Sequence, residues 1–217
     1  AKAASPPRPS HPAARGRGRF WHDGLPSKPS LDPRMKHAFA LVMMLGALSL
    51  PTHAALDVGD TAPNFTVPAA LGGKTFQYTL AESLAKGPVV LYFFPAAFSE
   101  GCSIEAHEFA EAIGRYEALG ATVIGVSGDD LDLISRFSVQ VCQGKFPVAA
   151  DEKKSVIKAF DAAMQTRPEY ANRISYVIAP NGKVIYSYLS LNPSKHVEKT
   201  LDALAQWAKD NPRARLR

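Results

Sequence analysis

The sequence is poor in cysteine and, after residue 54, in histidine, and what it lacks removes several functions at once. Its 217 residues include two cysteines, Cys102 and Cys142. Neither opens a Cys-x-x-Cys pair, because residue 105 is Glu and residue 99 is Ser. The usual arrangement of a thiol–disulfide oxidoreductase is therefore missing. Ala106 stands where a Cys-x-x-x-Cys metal-binding pair would need its second thiol. After residue 54 the only histidines are His107 and His196, and a metal site needs more convergent ligands than these. Both fall on predicted helices, where such residues are expected to be solvated. No internal repeat is visible. The apolar stretch Ala38–Leu50 has 13 residues, whereas a helix needs about 20 to cross a bilayer.

A charge bias is also missing where it would matter. The formal net charge is +5, but residues 1–54 carry eight of the 25 Lys and Arg and only two of the 20 Asp and Glu. The remainder has 17 basic and 18 acidic residues. A balanced surface of this kind gives no footprint for nucleic acid.

Met35-Lys-His, the apolar stretch and Pro51-Thr-His-Ala54 together have the layout of a secretory signal peptide, with cleavage expected at Ala54/Ala55. No cysteine follows that point to take a lipid, so no stable membrane association is expected after cleavage. Residues 1–34 are rich in Pro, Arg, Ser and Ala without apolar periodicity. They read as a disordered or non-native extension. Residues 55–217 are then a single domain, exported to a periplasm or beyond and long enough to bury a sizeable core.

Within it, Phe65–Val67 and Lys74–Tyr78 flank Gly72-Gly73 as a hairpin. Val89–Phe94 is continuously apolar, as a buried central strand should be. A helix is predicted from Cys102 to Leu119, with Phe109, Ile113 and Tyr116 on one face and Gly120 as its stop. Ala121–Ser127 reads as a second buried strand and Asp129–Val141 as a helix. Pro147–Ala150 is a short strand and Lys153–Phe160 a short helix. Ile174–Ala179 and Lys183–Tyr188 flank Asn181-Gly182 as a closing hairpin of edge strands. A last helix starts at Asn192-Pro193 and buries Val197, Leu201, Leu204 and Ala208. The polar tail 211–217 reads as frayed. Alternating strands and helices imply an α/β fold with a central mixed sheet, flanked by helices and extended by an N-terminal β-hairpin.

The chemistry concentrates at Pro95-Ala-Ala-Phe-Ser99-Glu-Gly-Cys102. A cysteine at a helix start faces unpaired N–H groups and the positive end of the macrodipole. Both favour the thiolate, which is the nucleophile. Ser99, three residues earlier, is placed to sit beside the sulfur and bind an incoming oxygen, or to cap the helix, or both. Structural pairing of the two cysteines is the alternative, but it has no need of this loop.

These residues resemble a known family. Pro95-x-x-x-Ser99-x-x-Cys102 is similar to the peroxiredoxin signature Pro-x-x-x-Thr/Ser-x-x-Cys. Gly59–Phe65 resembles its Gly-Asp-x-Ala-Pro-x-Phe opening, and Arg173 heads a strand and turn, Ser175–Gly182, of matching order. The resemblance spans about residues 56–208 and is nearest the bacterioferritin-comigratory or Q-type group. It implies a thioredoxin-like fold and a peroxidase with no bound cofactor or metal. Its partners would be a peroxide and an external dithiol, either a thioredoxin-like protein or a small thiol. Residue by residue, Cys102 matches the peroxidatic cysteine and Pro95 the proline that shields it. Ser99 matches the hydroxyl that bonds the peroxide, and Arg173 the arginine that stabilises the thiolate and orients substrate. Glu105 resembles an acidic residue found just after the cysteine. His107 departs from the pattern, since Q-type enzymes commonly carry the resolving cysteine there. Cys142, near the end of the second helix, is left as a resolving cysteine, an inert buried one, or one that pairs between molecules. A thiol–disulfide oxidoreductase or a metallochaperone-like binding protein on the same scaffold are the competing functions.

Overall fold

Val89–Phe93 has five consecutive buried residues, and it is an interior strand of the sheet, as its apolar run predicts. The computed structural model describes residues 55–212. The expected extension, the signal peptide and the end of the polar tail lie outside the described residues. The strands are β1 (Thr66–Leu71), β2 (Lys74–Thr79), β3 (Val89–Phe93), β4 (Thr122–Ser127), β5 (Val148–Ala150), β6 (Ala163–Met164), β7 (Arg167–Ala171), β8 (Ile174–Ile178) and β9 (Val184–Leu189). The helices are α1 (Leu80–Leu84), α2 (Glu100–Ala118), α3 (Leu131–Gln140), α4 (Ser155–Ala159) and α5 (His196–Asp210), with a 3-10 turn at Pro193–Lys195 before the last.

Seven strands form a mixed sheet in the order β2-β1-β5-β4-β3-β8-β9. β3 and β5 run parallel to β4, while β8 runs antiparallel to β3 and β1 antiparallel to β5. The closing hairpin thus differs from expectation. Only β9 is an edge; β8 is interior, and all five of its residues are buried. β1 also runs past Val67 to Leu71, pairing with β5 at Ala69 and Ala70. α1 and the small β6–β7 sheet were not foreseen. α1 is too short to show periodicity, and four of the five residues of β7 are exposed, so no alternation marks it.

Side chains alternate between two cores, as strand geometry requires. Val90 and Tyr92 of β3 face a cluster built by α2, α3 and α5, including Phe109, Phe137 and Leu201. Val89, Leu91 and Phe93 face Leu80, Leu84, Ile157 and Phe160. Each fully buried side chain of this size contributes about 1.5–3 kcal/mol. Tyr92 stacks on Phe109 with ring centroids 4.3 Å apart. Its ring fits because Gly125 lies beside it on β4: a Cβ there would come 2.7 Å from Tyr92 Cζ. Gly125→Ala is therefore expected to destabilise the fold by about 1–3 kcal/mol through overpacking, read as a lower thermal midpoint. An unchanged midpoint would mean the tyrosine moves freely.

Helix ends are set by local capping. Asp130 caps α3, its carboxylate accepting from Leu133 N–H at 2.8 Å. The helix therefore begins two residues later than predicted, and it ends at Gln140, one residue short. Asp151 accepts from the backbone N–H of Ser155 at 3.0 Å and of Ile157 at 2.8 Å, which starts α4 at Ser155. Asn192 accepts from Ser194 N–H at 3.1 Å and starts the 3-10 turn.

Candidate active site

α2 begins at Glu100, two residues before the expected start, so Cys102 occupies the third position of its first turn. The sulfur still faces the N–H-rich helix end. Cys102 is only 1% exposed. Ser99 is the N-cap residue by backbone conformation, but its hydroxyl makes no capping bond. It donates instead to the Ala96 carbonyl at 3.0 Å, which tightens the loop after Pro95, and the residue is exposed.

That loop is anchored by a residue the sequence reading treated only as a helix start. Asp129 Oδ2 accepts from Ala97 N–H and from Ser127 Oγ, both at 2.7 Å. Phe98 has φ 63, a left-handed conformation that costs an aromatic residue about 1–3 kcal/mol. Its ring packs edge-on against Phe137 of α3 at 5.2 Å. These contacts hold Pro95–Ser99 over the start of α2. The signal for Asp129 was available only in hindsight, because an acidic residue after a strand is also an ordinary cap.

Arg173 comes from the opposite side of the sequence, just before β8. It is 5% exposed, and its guanidinium has three partners. Nη2 donates to Cys102 Sγ at 3.3 Å, Nη1 donates to Glu105 Oε2, and Nε donates to the Leu191 carbonyl at 3.1 Å. Gly101 leaves room for it, since a Cβ there would come 3.2 Å from Nη2. Burial pulls the guanidinium down, but the charges of Glu105 and Cys102 outweigh it and hold it above its ordinary value. Burial pushes the Glu105 carboxyl up to about 8, against the opposing pull of Arg173. Removal from water outweighs the ion pair for this carboxyl.

His196 is not solvated as expected; it is fully buried. Its Nε2 lies 2.9 Å from the Ser190 carbonyl, and its Nδ1 lies 2.8 Å from Ser175 Oγ and 3.5 Å from Glu105 Oε1. The expectation failed because β8 and α5 bring Ser175 and His196 together across 21 residues of sequence. His107 is exposed, as expected, and its Nδ1 lies 3.1 Å from Gln143 Nε2.

Cys142 needs correction in place, though not in burial. It lies in the turn after α3, not within the helix. Gln143 and Gly144 have φ 55 and 67, which ends the helix there. The thiol is fully buried in the same core cluster as Cys102, and both cysteines are free. Burial pushes the Cys142 thiol far up. The following turn is fastened to α2 by the Gln143–His107 contact and by Lys145 donating to Glu111 at 3.1 Å. Exposed contacts of this kind contribute about 0–1 kcal/mol each.

One sulfur therefore sits at a helix start under a guanidinium, and the other lies buried in the turn after α3. Residues 58–187 match the AhpC/TSA family. The chain is similar to peroxiredoxin Q of rice, Oryza sativa subsp. japonica, a chloroplastic protein, at 34% identity over 148 residues. That match covers 67% of this chain and 65% of the rice protein, just under two thirds of that relative's length. It is similar to peroxiredoxin Bcp of Xanthomonas campestris at 27% identity, covering 68% of this chain and 94% of the relative. Among solved structures it resembles peroxidoxin BcpB of Mycobacterium tuberculosis with a TM-score of 0.63 and 27% identity. That likeness covers 70% of this chain and 97% of the other.

Proposed function

The chain belongs to the AhpC/TSA family, and from that premise we propose that it is a thiol-dependent peroxidase acting on hydrogen peroxide or organic hydroperoxides. The observation that carries this reading is the 3.3 Å bond from Arg173 Nη2 to Cys102 Sγ at the first turn of α2. A guanidinium and helix N–H groups around one sulfur favour thiolate over thiol. They also favour the negative charge that develops on a departing oxygen.

The thiolate of Cys102 attacks the terminal peroxide oxygen in line with the O–O bond. A new S–O bond forms, the O–O bond breaks, and the leaving oxygen departs as water or an alcohol after taking a proton. Cys102 is left as a sulfenic acid. Ser99 and Arg173 position the peroxide, and Pro95 shields the sulfur from bulk water. Cys142 then attacks the sulfenic sulfur, expelling water and forming an intramolecular disulfide. Bridged Cα atoms lie within about 7 Å, so a wider starting separation of the two sulfurs would be closed by local unwinding of the turn after α3. The weak contacts of Gln143 and Lys145 to α2 suit that motion. An external dithiol, a thioredoxin-like protein or a small thiol, reduces the disulfide. A Cys-x-x-Cys exchange reaction is disfavoured because Glu105, at the second position, is committed to Arg173. The same reading has residues 35–54 removed on export, leaving residues 55–217 to act in a periplasm or outside the cell.

Mass spectrometry tests the whole scheme. The protein recovered from cells should have the mass of a chain beginning at Ala55. After one equivalent of peroxide, wild type should give a Cys102–Cys142 disulfide, and Cys142→Ser should trap a sulfenic acid on Cys102. Sulfenic acid in wild type without the internal disulfide would reject Cys142 as the resolving thiol. An unreacted Cys102 would reject the peroxidase itself.

A further inference from the structure

The second amino group of Arg173 leads to a buried cluster that the peroxidase scheme does not use. Glu105, Ser175 and His196 are all fully buried. The Ser190 carbonyl can only accept, so His196 Nε2, 2.9 Å from it, carries a hydrogen. In the neutral ring Nδ1 is then a lone pair. It faces Ser175 Oγ at 2.8 Å and Glu105 Oε1 at 3.5 Å. Glu105 Oε1 has no hydrogen-bond partner among the described residues. The Ser175 hydroxyl has one hydrogen, which it can give to Nδ1; the buried Glu105 Oε1 is then left unpaired unless it shares a proton with the ring. Two acids also share one guanidinium, because Nη2 serves Cys102 and Nη1 serves Glu105.

We propose that Glu105 and His196 form a buried proton-holding pair coupled to Cys102: when the sulfur ionises, one proton rests between Glu105 Oε1 and His196 Nδ1, and the charge of Arg173 is left to the thiolate. The S–H bond of Cys102 breaks and a proton adds to the pair through exchange with solvent. No electrons are transferred, and the net charge of the cluster is unchanged. Glu105 and His196 are positioning residues in this account, acting on the sulfur through Arg173.

The electrostatics agree. Burial pushes Glu105 up to about 8, and burial pulls His196 down to about 4. Taken as one coupled site, the pair exchanges its first proton near neutral pH and gains a second only in acid. Other groups face it as well. Glu108 on α2 raises Glu105 further. Tyr188 on β9 packs its ring 4.8 Å from that of His196. Tyr92 on β3 is held neutral, first by burial and then by the charges of Cys142, Glu105 and Cys102.

The use of this device rests on the peroxidase reading, but its test needs no peroxide. The reduced full chain, with isotope-labelled histidine and glutamate, is titrated by NMR as wild type and as Cys102→Ser. His196→Gln assigns the ring signal. By reciprocity the thiolate raises the proton affinity of the pair. The midpoint of the pair should therefore lie about one pH unit or more higher in wild type than in Cys102→Ser. Coincident midpoints would overturn the proposal. Iodoacetamide alkylation of Cys102 against pH gives an independent reading: two inflections in wild type and one in Glu105→Gln. Two inflections in both proteins would also overturn it. Peroxide turnover measured separately distinguishes a failure here from a failure of the peroxidase reading.

Discussion

Cys102→Ser is expected to reduce hydroperoxide turnover by roughly a thousandfold or more, which is the scale on which loss of a covalent nucleophile acts. The substitution is nearly isosteric in a site that is 1% exposed, so the fold should be kept. A serine hydroxyl under Arg173 still accepts from Nη2, but it is a far weaker nucleophile and forms no stable S–O product. Stopped-flow consumption of hydrogen peroxide with excess dithiol would measure the loss, with circular dichroism as the check on folding. Wild-type turnover in the variant would place the chemistry elsewhere, with Cys142 the only other thiol in the sequence.

Arg173→Met is expected to cause two separate losses. The first is in stability. The guanidinium is the ion-pair partner of a fully buried carboxyl, and breaking a buried pair by removing one member costs about 3–5 kcal/mol where the remaining group is ionised. That is a large share of a typical 5–15 kcal/mol of total stability. The cost depends on pH with a definite sign. A carboxyl whose folded pKa is raised binds its proton more tightly when folded than when unfolded. Its contribution is most favourable below the unfolded value and is lost as pH rises through the folded value, about 8 with Arg173 present. Removing the arginine raises that value further, so the variant should weaken most at alkaline pH. Urea midpoints measured at acid, neutral and alkaline pH would show this.

The second loss is in reactivity. Without Nη2 the sulfur keeps only the helix N–H groups, and alkylation of Cys102 at neutral pH should slow by tenfold or more, about 1.4 kcal/mol. The double variant Arg173→Met with Glu105→Gln separates the two effects. It removes the buried charge along with its partner, so much of the stability should return. The slow alkylation should persist. If stability and reactivity recover together, Arg173 acts by shaping the pocket and not by its charge.

The local features of the protein were legible in the sequence because each is written in a few adjacent residues. Val89–Phe93 is a buried strand because its run is apolar throughout. The turn at Asn181-Gly182 and the stop at Gly120, with φ 80 and 72, follow from backbone freedom that glycine alone supplies cheaply. Cys102 at a helix start could be read for its chemistry, since macrodipole and first-turn N–H groups depend only on position along one helix. The family pattern extended that reading to Arg173.

Other features became visible only when distant segments met. His196 looked like a surface residue of an amphipathic helix. It is a buried one because Ser175 on β8 and Glu105 on α2 converge on it from 21 and 91 residues away along the chain. Asp129 could be read as a cap, but its bond to Ala97 depends on β4 ending beside the Pro95 loop. The true place of Cys142 turned on two left-handed residues, one of them the non-glycine Gln143, which no propensity would mark as a helix end. Sequence determined where a reactive sulfur could form, through interactions within a turn or two of chain. Tertiary structure decided what surrounds it, because burial, ion pairing and shared protons depend on contacts between segments that only the folded sheet brings together.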